Sequence, residues 1–340
     1  MKMEAIGEVS GQTIEAVTLR GGETEARLIT YGARLTHLWV PDATGRLGDI
    51  VLGHDELAPY TQYGTYFGAT CGQYANRIAG GKCLLDGQLH QLDLNEGPNH
   101  LHGGTAGFDR KVWRVAALDD HSVTFATETG DGEMGYPGPC TLQTRYALDE
   151  SGALDIEMTA TTAKPTIMNM VNHAYFNLAG AGDVLGHHLQ IPAAFYTPVD
   201  EALLATGEIA DVEGMAFDFR QSKTIGQDIG TLSSGYDHNL CLGPTMDGMR
   251  LCAVATDPVS GRRLRLLTSE PGVQLYTGGA LSADIPGKQG QSLCRFAGFT
   301  LETQKFPGSP QFAHFPSAML NPGEHYRHRM RFTFDALSPS

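Results

Sequence analysis

The chain has 340 residues, enough for one large domain or two ordinary ones, and carries a formal charge of −14. That balance excludes the clustered Lys and Arg of a nucleic-acid partner, and no run of about 18 apolar residues offers a membrane-spanning helix. The opening MKMEAIGEVSGQTIEAV lacks the apolar stretch of a signal peptide. Six cysteines (Cys71, Cys83, Cys140, Cys241, Cys252, Cys294) show no C-x-x-C pairing, so they read as buried free thiols in a cytoplasmic protein.

No linker, low-complexity tract or repeat divides the sequence, which predicts one continuous unit over 1–340. The first unusual cluster is GQYANRI (72–78), with Asn76 and Arg77 among apolar residues; Arg77 would serve equally well to pair a carboxylate. HLHGG (100–104) follows, with His102 ahead of two glycines that would let a ligand approach the backbone. Alternation would put His100 and His102 on one strand face, a spacing that metal sites use. No nearby Asp, Glu or Cys completes a set, and no metal is expected. DGEMGYPG (131–138) is turn chemistry.

From 142 onward, period-two alternation becomes clear. Gln143 and Arg145 point away from Leu142, Tyr146 and Leu148, and residues 154–159, 249–256, 262–268 and 329–334 also read as strands. Turn signals stand at Asp86-Gly87, Ser151-Gly152 and Ser260-Gly261. The alternating run TIMNMVNH (166–173) sets Asn169, Val171 and His173 on one partly polar face. His187 and His188 should point to opposite faces. Residues 221–230 could hold a short helical turn. YDHNL (236–240) starts a strand with Asp237 and His238. In VQLY (273–276), Gln274 and Tyr276 share a face, an amide beside an aromatic ring that suits a sugar. In FTLETQ (299–304), Thr300, Glu302 and Gln304 oppose Phe299 and Leu301. Many short strands, 42 glycines and little helical periodicity predict an all-β fold, a large antiparallel β-sandwich.

Such a sandwich would bring His173 and Glu302 together on a concave sheet face. An imidazolium and a carboxylate facing one molecule can give a proton to one oxygen while taking a proton from another. That is what opening and reclosing a sugar ring requires. Taken singly, a histidine such as His173 is more often structural. No phosphate-cradling glycine loop or nucleophile elbow competes for the function.

The segments GQYANRI, HLHGG, GFDRKVW (107–113), DGEMGYPG, NHAYFNLAG (172–180), YDHNL, PGVQLYTGG (271–279), LETQKFP (301–307) and NPGEHY (321–326) together resemble the aldose 1-epimerase, or galactose mutarotase, family in order and content. The resemblance implies a β-sandwich of the galactose mutarotase type and cofactor-free interconversion of the α and β anomers of free hexoses such as galactose and glucose. It implies His173 as general acid and Glu302 as general base. Asn76, Arg77, His102, Asp237 and Gln274 would hold the hydroxyls or ring oxygen of a small-molecule aldose. Gln73 stands where the family has arginine, and Met134 where it has glutamate; these departures bear on substrate preference more than on reaction type.

Three other readings stay open at this level. A hexose-6-phosphate 1-epimerase would need more cations than Arg77. A glycoside hydrolase could use Asp237 as its second carboxylate. A non-catalytic sugar sensor would have no need of an acid–base pair. The absence of an exposed apolar stripe suggests a monomer. Ordinary values of about 4.3 for Glu and 6.5 for His would bound a bell-shaped pH profile, unless burial or a neighbouring charge moves them.

Overall fold

A computed structural model describes residues 2–85 and 87–337; Asp86, half of one turn signal, lies outside the described residues. Strands form where the alternation is strongest. Strand Cys140–Leu148 buries Leu142, Tyr146 and Leu148 and exposes Gln143 and Arg145. It pairs with Leu154–Thr162, which pairs with Tyr326–Ala336. These strands belong to a nine-stranded sheet that also holds Arg250–Thr256 and Arg262–Thr268. A six-stranded sheet runs in the order Tyr175–Phe176, Phe299–Gln304, Gly272–Tyr276, Asp237–Cys241, Phe195–Thr197, Ala210–Asp211. The N-terminal strands, from Lys2–Val9 to Leu47–Asp49, form a five-stranded meander.

Phe299, Leu301, Val273 and Leu275 of the six-stranded sheet share one core with Leu264, Leu266 and Phe332 of the nine-stranded sheet. The Phe176 and Phe332 rings lie 5.5 Å apart across that interface. All strand pairings among the described residues are antiparallel, so the chain adopts the antiparallel β-sandwich that its alternation predicts.

Register builds the face that matters. Gln274 lies opposite both Glu302 and Asn239, while Tyr276 lies opposite both Thr300 and Asp237. Directly opposed residues in an antiparallel pair project to the same side. One face of the six-stranded sheet therefore carries polar side chains from three adjacent strands, and the other carries the apolar core.

Several local expectations are corrected. The run 166–173 is not one alternating strand: Thr166–Ile167 pairs with Met319–Leu320, Val171–Asn172 pairs with Thr70–Cys71, and all eight residues are buried. Thr166, Asn169 and Asn172 find partners inside the protein, as when Asn169 accepts from the Lys305 amide at 2.9 Å. Residues 221–230 hold the short strand Lys223–Thr224 and the start of a 3₁₀ turn; the α-helix among the described residues is Leu57–Gln62. All six cysteines are free thiols, but Cys241 is only partly buried and Cys294 is exposed. His187 is buried and His188, which opens strand His188–Gln190, is exposed. Among the described residues, no helix is long and apolar enough to cross a membrane.

Candidate functional site

Glu302 stands mid-strand on the polar face, its side chain 3% exposed. Thr300, two residues earlier and on the same side, donates its hydroxyl to Glu302 Oε1 at 2.8 Å. On the neighbouring strand, Gln274 donates to Asp237 Oδ1 at 2.6 Å and accepts from Gln304 Nε2 at 3.2 Å. This amide chain fixes which way the Gln274 side chain faces.

His173 reaches the same place from another segment. Its backbone N–H donates to the Ala69 carbonyl at 2.8 Å, and its carbonyl accepts from Gly68 at 3.0 Å. Three rings hold the imidazole: Tyr66 stacked at 5.5 Å, Tyr175 tilted at 5.1 Å and His102 edge-on at 5.2 Å. His173 Nε2 lies 3.3 Å from Glu302 Oε1. His173 Nδ1 and Glu302 Oε2 are buried without a hydrogen-bond partner. Unpaired buried polar atoms are costly, and they gather where a ligand is to be met.

The remaining wall comes from the 72–77 and 100–104 loops. His102 has φ +50°, which takes it out of strand alternation and away from His100. His100 lies behind the wall, with Nδ1 2.6 Å from the Asp93 carbonyl and Nε2 bonded to the Tyr136 hydroxyl. The two imidazoles therefore do not share a face. The glycines of HLHGG also serve the chain itself. A Cβ on Gly103, at φ +94°, would lie 1.7 Å from the Gly72 carbonyl oxygen. Only glycine allows the two loops to approach this closely.

That approach sets the His102 tautomer. The Asn76 N–H donates to His102 Nδ1 at 3.2 Å, which leaves the neutral ring with its hydrogen on Nε2. Ligand atoms of His102, His173 and Glu302 lie within 4.8 Å of one another. With the Nδ1 lone pair engaged, however, Nε2 has none to offer a cation. His102 is thus built as a hydrogen-bond donor.

Arg77 gives its Nε and Nη2 to Glu96 at 2.8 and 2.7 Å, while its Nη1 stands 3.7 Å from Asp237 Oδ2. Arg77 thus pairs with carboxylates, as one reading of the sequence has it, and it also lines the cavity.

Burial dominates the electrostatics. It pushes the Glu302 carboxyl up to about 8, against the Thr300 hydroxyl, which favours the ionised form. Burial likewise pushes His173 down to about 3. His102 falls well below the usual range through burial and then through His173 beside it. Burial raises Asp237, with Arg77 opposing. The 3.3 Å contact between His173 and Glu302 is long for a charge-assisted bond, which runs about 2.7–2.9 Å. Desolvation thus favours, for the resting pair, a neutral imidazole beside a carboxylic acid.

His173, Glu302, Asn76, Arg77, His102, Asp237 and Gln274 all line one cavity of about 450 Å³. Gln73 and Met134 do not line it. Gln73 donates to Thr166 and Ile167 inside the protein, and Met134 packs beside a small core cluster. Sequence reasoning missed Tyr66, Tyr175, Thr300 and Glu96 as parts of this site. Tyr175 could have been found, since it stands two residues after His173. Tyr66, at φ +56°, and Glu96, in a turn, leave no periodic signal.

The same arrangement of strands occurs in known proteins. The family model described as aldose 1-epimerase matches residues 15–333. Galactose mutarotase from Bos taurus is 42% identical, covering 95% of this chain and 94% of the relative. Aldose 1-epimerase from Escherichia coli (strain K12) is 33% identical, covering 96% of each chain. A crystal structure of an aldose epimerase homologue from C. elegans superposes with a TM-score of 0.89 at 30% identity, over 95% of this chain and 99% of that one. With matches of this extent, and with one cavity lined by residues of the GQYANRI, HLHGG, NHAYFNLAG, YDHNL, PGVQLYTGG and LETQKFP segments, the chain belongs to the aldose 1-epimerase family.

Proposed function

We propose that the protein interconverts the α and β anomers of free hexoses, galactose and glucose among them, by opening and reclosing the pyranose ring. The observation that carries this reading is the buried His173–Glu302 pair, 3.3 Å apart, on the wall of a cavity of about 450 Å³. That volume lies within the roughly 300–1,000 Å³ of small-molecule sites.

In the ring-opening step Glu302, ionised, takes the proton of the anomeric hydroxyl. The O1 electron pair forms the carbonyl as the C1–O5 bond breaks, and O5 takes a proton from His173. The aldehyde turns about C1–C2 and recloses on its other face with both transfers reversed. The pair holds one proton throughout. It starts on His173 and ends on Glu302, which is also where burial places it at rest. The resting distribution therefore matches that of the open-chain intermediate. Sugar hydroxyls donating to Glu302 Oε2 would favour the ionised carboxylate and prepare the pair for ring opening.

His102, held as an Nε2–H donor, Asn76, Gln274, Asp237 and the Nη1 edge of Arg77 supply hydrogen bonds to the hydroxyls. Tyr66, Tyr175 and Tyr276 add apolar faces for the sugar C–H surfaces. The six free thiols fit a reducing, cytoplasmic setting.

Proton NMR of freshly dissolved α-D-galactose tests the reaction. The β anomeric signal should grow faster with the protein present, with no other product. A second sugar product, or no acceleration with either hexose, would overturn the reading.

A further inference from the structure

Among the described residues, Arg77 is the one Lys or Arg on the cavity wall, and how it is held bears on which sugars can enter. Its side chain is 14% exposed, and it pairs through strand Arg77–Ile78 with His100–Leu101, so its backbone is fixed. The Nε/Nη2 edge is closed by both oxygens of Glu96 at 2.8 and 2.7 Å, and the Nη1 end faces Asp237 at 3.7 Å. Glu96 is itself held in place: its amide and carbonyl exchange hydrogen bonds with Asn99 at 3.1 and 3.0 Å, and the Asn99 side chain accepts from Gly80 at 3.1 Å. Two carboxylates therefore flank one guanidinium, and the local charge is negative.

We propose that Glu96 is a specificity-determining residue that closes the cavity to aldoses carrying a carboxylate or phosphate, while leaving Arg77 Nη1 for neutral hydroxyls. This rests on the reading of the cavity as an aldose site. A neutral hydroxyl accepts a single N–H and needs no net charge. An anion needs an uncompensated cation, and prefers two N–H groups in a fork. Here Glu96 takes the Nε/Nη2 fork, and an anion approaching the remaining Nη1 end meets the field of Glu96 and Asp237 together. Removing the Glu96 charge while keeping its shape would leave Arg77 balanced by Asp237 alone.

The test is competition against galactose mutarotation by D-galacturonate and by D-galactose 6-phosphate, read as the ratio of Ki to the KM for galactose. In wild type both ratios should lie well above one. In Glu96→Gln both should fall about tenfold or more, as expected for lifting one charge a few ångströms away. In Glu96→Asp, which keeps the charge, they should stay near wild type. A wild-type ratio at or below one overturns the proposal without any variant. So does a Glu96→Gln ratio that does not fall, or a Glu96→Asp ratio that falls equally. If wild type mutarotates galactose and the ratios contradict the scheme, only this inference fails. If it does not accelerate galactose at all, the function reading falls first and takes this one with it.

Discussion

Burial sets the proton count of the His173–Glu302 pair. With Glu302 near 8 and His173 near 3, the pair carries one proton across the whole interval between them. The reaction proposed needs that one proton, on either partner. kcat/KM, corrected for the uncatalysed rate, should therefore be flat through neutrality. It should fall as pH rises through about 8, where the pair loses its proton, and again as pH falls toward about 3, where His173 gains a second. A profile bounded instead near 4.3 and 6.5 would mean that solvent reaches the pair. Both residues were legible in the sequence because each sits in a marked segment. Their pKa values were not, since desolvation depends on the rings of Tyr66, Tyr175 and His102, which come from three separate places in the chain. Gln274→Ala should raise KM more than it lowers kcat, which initial rates over a range of galactose concentrations would reveal.

At the scale of elements, the strand Phe299–Gln304 shows what alternation can and cannot tell. It divided Phe299 and Leu301 from Thr300, Glu302 and Gln304 correctly, yet all six residues are buried, because the polar side faces a cavity instead of bulk water. The loops were harder to read. His102 and Tyr66 owe their positions to positive φ angles, which carry no periodic signature, and the role of Gly103 appears only once Gly72 is beside it. Gly103→Ala should lower stability by more than about 1 kcal/mol and displace His102, with a matching loss of kcat/KM. Gly11→Ala, at φ +75° with nothing within 4 Å of the added carbon, should cost only the backbone preference and leave activity intact. Thermal melts and steady-state rates on the two variants separate these outcomes.

For the whole molecule, one apolar cluster joins Val17 and Leu28 of the meander, Ile156 and Phe332 of the nine-stranded sheet, and Leu240 and Phe299 of the six-stranded sheet. We propose that the chain unfolds as one unit. Far-ultraviolet circular dichroism and tryptophan fluorescence in urea should then give coincident midpoints, whereas separated midpoints would divide the meander from the sandwich. This architecture lets residues from opposite ends of the sequence share one cavity, with Asn76 and Arg77 near its start and Glu302 near its end. Their convergence is also what an acid–base account needs. Polarimetry on fresh α-D-galactose with wild type, Glu302→Gln and His173→Gln tests that account most directly. Wild type should speed the decay of rotation, and each substitution should lower kcat by roughly 10²–10⁴-fold. A variant that keeps wild-type kcat would contradict the assignment of that residue, and with it the shared-proton mechanism.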